Sequence, residues 1–145
     1  MEANIYQVDS IDSLTIAPLL FKFLEQQKKA IIYCHDIEII KKLDNSLWSY
    51  GRNKFLPHIT IFDKDFDMKR QNIILSNEEI NPNNAQYIIL LDRASPQFLK
   101  QFSRIFCFNL INDNGKFLSF KKDFQDNLFT IKSYKKDGNK WISNS

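Results

Sequence analysis

The chain has 145 residues, 43% hydrophobic and 26% charged, with a formal net charge of +3. That length suits one domain, here residues 1–145, with a core of its own, and the balance excludes disordered and fibrous classes. No apolar run reaches membrane-spanning length, and no basic stretch leads into an apolar core at the N-terminus, so a soluble, cytoplasmic protein with no membrane contact is expected.

Ala3 to Val8, with Ile5, Tyr6 and Val8, reads as a first strand. From about Asp12 to Lys29 the residues Ile16, Leu19, Leu20, Phe23 and Leu24 recur at helical steps. Pro18 then requires the helix proper to begin near Ile16 or Ala17. Ala30 to Cys34 is a continuous apolar run, as in a strand buried on both faces. His35 or Asp36 can cap the next helix, whose stripe is Ile39, Ile40, Leu43 and Leu47. Gly51 and Pro57 break that helix, leaving Trp48, Tyr50, Phe55 and Leu56 at its end and in a loop, where large apolar groups are hard to bury and often form an interface. Trp48 and Phe55 covering the sheet edge of their own domain fits the same pattern.

Ile59 to Phe62 reads as a short strand, Asp63 to Arg70 as a charged connection, and Asn72 to Ser76 and Tyr87 to Leu91 as further strands. Ser95-Pro96 opens a short helix through about Ser103. Ile105 to Leu110 is apolar strand, and Asn112-Asp113-Asn114-Gly115 reads as a turn. The spacing of Phe124, Leu128, Ile131 and Tyr134 predicts a last helix from about Lys121 to Lys136, with Gly138 as its C-cap. Strands alternating with helices give an α/β fold, a mostly parallel sheet with helices on both faces.

From Asp113 onward seven Lys face four Asp, so this segment holds the chain's whole positive excess. A basic terminal element favours an anionic partner, although a solvated helix face has the same composition.

The residues offer little chemistry. The first strand-to-helix junction, Val8-Asp9-Ser10-Ile11-Asp12-Ser13, has no glycine to let a backbone approach a pyrophosphate, so no nucleotide cofactor is expected. Cys34-His35-Asp36 are consecutive at a strand end and point to alternate faces, which prevents them converging as nucleophile, base and orienter. Asp63, Asp65 and Asp67, with Glu78 and Glu79, read as solvated loops rather than a metal site. His58 has no acidic neighbour within three residues to orient it, and reads as a loop or interface residue. Cys34 and Cys107 lie in apolar runs without metal-ligand spacing, as buried free thiols do.

The segment Leu43-Asp44-Asn45-Ser46-Leu47-Trp48, followed by Phe55-Leu56-Pro57-His58, resembles a signature of the chi subunit of bacterial DNA polymerase III holoenzyme. Ile73-Ile74-Leu75-Ser76, then Asn81-Pro82-Asn83-Asn84-Ala85 and Ile89-Leu90-Leu91-Asp92, is similar to a second segment of that family. Tyr134-Lys135-Lys136-Asp137-Gly138 and Trp141 resemble its C-terminal end. The resemblance implies a Rossmann-like fold without a nucleotide-binding loop, and a non-catalytic adaptor needing no cofactor or metal. It also implies two partners, the psi subunit or another clamp-loader component and the acidic C-terminal tail of single-stranded DNA-binding protein, with DNA met only indirectly. On that basis Trp48, Tyr50, Phe55, Leu56, Pro57 and His58 form the clamp-loader interface. Lys122, Leu128, Ile131, Lys132, Tyr134 and Lys135 form the tail site, a lysine pair meeting carboxylates and an apolar slot taking the tail's terminal Phe. The alternative is direct binding of single-stranded nucleic acid by the Lys-rich last helix, and a third possibility is a small enzyme with a site near His35.

Overall fold

The computed structural model describes residues 1–50, 56–137 and 140–143. The strands are β1 (Glu2–Val8), β2 (Ala30–Tyr33), β3 (Ile59–Thr60), β4 (Ile73–Ser76), β5 (Tyr87–Leu90), β6 (Arg104–Leu110), β7 (Thr130–Asp137) and β8 (Lys140–Ser143). The helices are α1 (Ser13–Glu25), α2 (Ile37–Trp48), α3 (Pro96–Leu99) and α4 (Asn114–Asp126). All the strands join one sheet in the order β3-β4-β2-β5-β6-β1-β7-β8, parallel except for the antiparallel β7–β8 pair.

Alternation along the central strands divides the core in two. Ile32, Leu75, Ile89, Phe106 and Phe108 face one side, where Ile16, Leu20 and Phe23 of α1 and Leu43 and Leu47 of α2 pack on them. Ile31, Ile74, Ile88, Ile105 and Cys107 face the other, against Phe98 and Leu99 of α3 and Phe120 and Phe124 of α4. The expected α/β fold with helices on both faces is therefore what forms.

The local details differ in places. Asp12 caps α1 through Thr15 N at 3.0 Å, so the helix begins at Ser13 and Pro18 lies within it. Pro18 is on the exposed face, as is Leu14 (75% exposed), whose carbonyl loses its helical partner where water can reach it. Asp36, not His35, caps α2 through Glu38 N. The β3 strand stops at Thr60, and α3 at Leu99.

The largest correction concerns the end of the chain. The expected turn at Asn112–Gly115 is the start of α4, capped by Asp113 through Lys116 N at 3.1 Å. The expected last helix does not continue past Asp126. Leu128 takes a left-handed conformation (φ 63°), and Phe129 N reaches back to Phe124 O at 3.0 Å. That is a Schellman ending, with the accompanying apolar contact supplied by the Phe124 and Phe129 rings, 6.0 Å apart edge to face. The β-branched Thr130 and Ile131 then enter β7, which gains a full ladder against β1. Gly138, expected as the C-cap, lies outside the described residues.

Burial raises the thiol of Cys107 well above its ordinary 9.0, and also raises the Cys34 thiol and the Tyr6 and Tyr33 phenols. Groups with raised folded values contribute stability that is complete below their unfolded values and is lost as pH climbs towards the folded ones. Stability should therefore decline above about pH 9. Denaturant titrations at stepwise alkaline pH check this, and Cys107→Ala should flatten the decline.

Candidate interaction surfaces

One surface forms where α2 meets the approach to β3. Trp48 ends α2 with 52% of its surface exposed, and its ring lies over His58, centroids 4.2 Å apart and tilted by 33°. His58 is buried. Its Nδ1 is 2.7 Å from the carbonyl oxygen of Leu56 and so carries a proton donated to that oxygen. Its Nε2 lies 3.1 Å from Asp44 Oδ1. Burial pushes the Asp44 carboxyl above its ordinary range, while His58 pulls it down. His58 thus does have an acidic orienter, contrary to the sequence expectation, but Asp44 lies fourteen residues earlier and reaches it only because α2 runs alongside β3. Leu56 is buried in the core, Pro57 is half-buried, and Tyr50 packs inward with its ring 6.0 Å from that of Phe21. Trp48, Leu56, Pro57 and His58 are brought together, with Tyr50 turned towards the core; Phe55 lies outside the described residues.

The second surface is the β7–β8 hairpin with β1. Strand geometry splits the residues assigned to one helix face. Ile131 and Lys135 share β7's face towards α4, whereas Lys132 and Tyr134 take the opposite face. Lys122 is exposed on α4, and Leu128 projects from the turn with 89% of its surface exposed. The alternative of a Lys-rich nucleic-acid-binding helix loses its element for the same reason.

No helix among the described residues covers the Lys132–Tyr134 face, because α1 leaves β1 over β6 and β5 and α4 crosses β1 on the other side. An aromatic row forms there instead. The Tyr6 ring stacks between Phe108 and Tyr134, each centroid 5.2 Å away, and Trp141 meets it edge-on at 5.1 Å. Lys136 reaches over the Trp141 ring at 5.7 Å, and Lys132 lies 3.9 Å from Glu2, a carboxylate also 3.9 Å from Arg104. Sequence reasoning missed Tyr6, Lys136 and Trp141 as members of this surface. The period-two alternation of Lys132, Tyr134 and Lys136 was the available signal.

His35 has no acid, thiol or hydroxyl partner among the described contacts, and no cluster of three His, Cys, Asp or Glu side chains able to hold a metal occurs among the described residues. No described helix is long and apolar enough to cross a membrane. The protein is a doubly wound α/β scaffold whose first strand-to-helix turn is unsuited to a dinucleotide and whose exposed aromatics lie at the two margins of the sheet.

The sequence matches the family described as DNA polymerase III chi subunit, HolC, over residues 2–124, and the chain belongs to that family. It is an accessory subunit of DNA polymerase III. A "Probable DNA polymerase III subunit chi" of Rickettsia prowazekii (strain Madrid E) is 28% identical over 113 residues, covering 73% of this chain and 67% of that protein. The fold is also similar to a solved Saccharomyces cerevisiae structure, the Dbp5 L327V C-terminal domain bound to Gle1 H337R and IP6 (TM-score 0.55, 10% identity, 92% of this chain and 90% of that one). The latter likeness concerns the fold alone. The family match ends within α4, so the β7–β8 hairpin lies beyond the matched residues.

Proposed function

We propose that the chain is a connector without an active site of its own, joining the DNA polymerase III clamp loader to single-stranded DNA-binding protein by capturing its acidic C-terminal tail. The observation that supports this best is the placement of the two surfaces. Trp48 and His58 sit beside β3 at one margin of the sheet, and the hairpin carrying Lys132, Tyr134 and Trp141 is the other. Seven strand spacings separate those margins by about 34 Å, enough for two partners to bind without touching.

The Trp48 corner would meet the psi subunit or another clamp-loader component, Trp48 supplying an exposed apolar surface over the buried His58 ring. The hairpin would take the tail. Either Lys132 with Tyr134 on one face, or Lys135 with Ile131 on the other, would offer a carboxylate partner and apolar contact to the terminal Phe, with the exposed Leu128 beside the strand. Each exposed lysine–carboxylate pair is worth roughly 0.2–1 kcal/mol, so ring burial must supply much of the affinity, and micromolar binding that weakens with salt is expected.

Fluorescence polarisation with a labelled tail peptide at two salt concentrations tests the reading. Lys132→Glu and Lys135→Glu, made singly, lie on opposite faces and so report which face is used. The variant on the binding face should weaken capture roughly three- to tenfold with an unchanged melting temperature. A folded sample that ignores the peptide, or binds it equally well without its terminal Phe, would remove the tail-capture role.

A further inference from the structure

The buried side of the Trp48 corner brings two acceptors into contact. His58 Nδ1 donates to the Leu56 carbonyl at 2.7 Å, so in a neutral ring Nε2 carries only a lone pair. Asp44 Oδ1 lies 3.1 Å from that nitrogen, and an ionised carboxylate is likewise an acceptor only. Both atoms are sealed from solvent, and neither has a hydrogen-bond partner among the described residues. Two buried acceptors at that distance repel, and each bears the cost of an unmade hydrogen bond. One proton on either atom turns the repulsion into a donor–acceptor contact that serves both.

The surroundings favour keeping that proton. Burial holds the Asp44 carboxyl above its ordinary range, against the lowering effect of His58. Asp63, just past β3 and accepting from Thr60 N at 2.7 Å, adds a second negative charge that raises Asp44 further. The β4 residues in the core beneath α2, Ile73 and Leu75, carry no charge. In a coupled pair of this kind the proton belongs to the pair rather than to either residue.

Trp48 is tied to both partners. Its ring lies over His58, centroids 4.2 Å apart, and its indole N–H donates to the Asp44 carboxylate. The same side chain is 52% exposed. A change in the pair's charge therefore acts on an aromatic surface that solvent and partners can reach.

We propose that Asp44 and His58 hold one proton between them at neutral pH, and that its release loosens the seat of Trp48, making this corner a pH-sensitive surface. The corner is the one assigned above to the clamp loader, but the proton belongs to the chain alone. Failure of that partner to bind would leave the proton in place, and absence of the proton would leave the partner's surface intact. The direction follows from linkage. In an unfolded chain a carboxyl ionises near pH 4 and an imidazole at about 6.5. Retaining the proton places the folded pair above those values. Its stabilising effect is complete below about pH 6.5 and is lost as pH climbs through the folded value.

The test follows the Asp44 carboxyl carbon and the His58 ring nitrogens by NMR between about pH 5 and 9. Trp48 fluorescence is read over the same interval in a Trp141→Phe background, where it is the remaining tryptophan. The NMR signals should show a single-proton step, and Trp48 emission should change with it. Asp44→Asn places an amide N–H beside Nε2, which does the proton's work at any pH. In that variant the Trp48 step should vanish, and the melting temperature should fall by several degrees less than the parent's as pH rises. Trp48 emission that stays flat, a step unchanged in Asp44→Asn, or shifts showing an ionised carboxyl beside a neutral ring throughout the interval would each overturn the proposal.

Discussion

His58→Ala should lower the melting temperature by roughly 6–10 °C, corresponding to about 2–3 kcal/mol for a domain of this size. The imidazole links two segments, its Nδ1 donating to the Leu56 carbonyl at 2.7 Å and its Nε2 lying 3.1 Å from the Asp44 carboxylate. Removing it leaves a buried carbonyl without its donor and a half-buried carboxylate without the ring beside it. Such losses cost about 1–3 kcal/mol for the orphaned group and more for a fully buried charge. Asp44 retains 24% of its side-chain surface in contact with solvent, so the lower part of that scale applies. The Trp48 ring also loses the surface on which it lies. Asp44→Asn combined with His58→Ala should cost less than the sum of the two single changes, since the orphaned charge is then gone. Thermal melts followed by circular dichroism measure all three variants. A His58→Ala protein melting within 2 °C of the parent, set against those roughly 6–10 °C, would mean that the imidazole does not tie the two segments together.

Phe124→Ala is expected to be more severe, at about 3–5 kcal/mol, because the ring is wholly buried between Phe120 and Phe129 and its loss leaves a cavity. Leu128, one helical turn further on, should behave in the opposite way. It is 89% exposed and holds a left-handed backbone that glycine adopts freely, so Leu128→Gly should stabilise the fold by up to about 1 kcal/mol. Urea denaturation of the two variants separates the architectures. A continuous helix would place Phe124 and Leu128 on one buried stripe and make both substitutions destabilising. The Schellman ending predicts opposite signs. Loss of tail-peptide binding in the Leu128→Gly protein, with its stability raised, would further show that this apolar side chain serves a partner rather than the core.

The contrast also explains what the sequence did and did not disclose. The doubly wound core was legible because Ala30–Cys34, Ile73–Ser76 and Tyr87–Leu91 are unbroken apolar runs between helical stripes, a pattern with few competing solutions. Gly51 and Pro57 signalled in the sequence that Trp48's helix ends nearby, but not that Trp48 is exposed, since the same pattern suits rings that cover the edge of their own sheet. The end of α4 was hidden because its stop is written without glycine. Phe124, Leu128 and Ile131 keep helical spacing across a residue that leaves helical geometry. The same substitution of a non-glycine residue recurs at Gln27 (φ 56°), where Lys28 N bonds back to Phe23 O at 2.9 Å. The Asp44–His58 pair was illegible for another reason: it depends on α2 and β3 being neighbours in space, which local pattern does not encode. The candidate tail lysines stand out in the sequence by composition alone, and strand periodicity places Lys132 and Lys135 on different faces.

The position of β1 has a consequence for how the chain is made. Among the described strands it comes first in the sequence, yet its two neighbours are β6 and β7, beginning at Arg104 and Thr130. At a synthesis rate of about 5–20 residues per second, this apolar strand waits roughly 5–20 s before its first partner exists. Meanwhile β2 can pair with β4 and with β5, both nearer to it in sequence than β6 is to β1, so assembly should proceed from that half of the sheet, with β1 inserting late and the hairpin closing beside it. Nascent chains halted before β6 emerges should therefore expose Ala3 to Val8 to chaperones and proteases, a vulnerability that ends once Leu110 has been delivered.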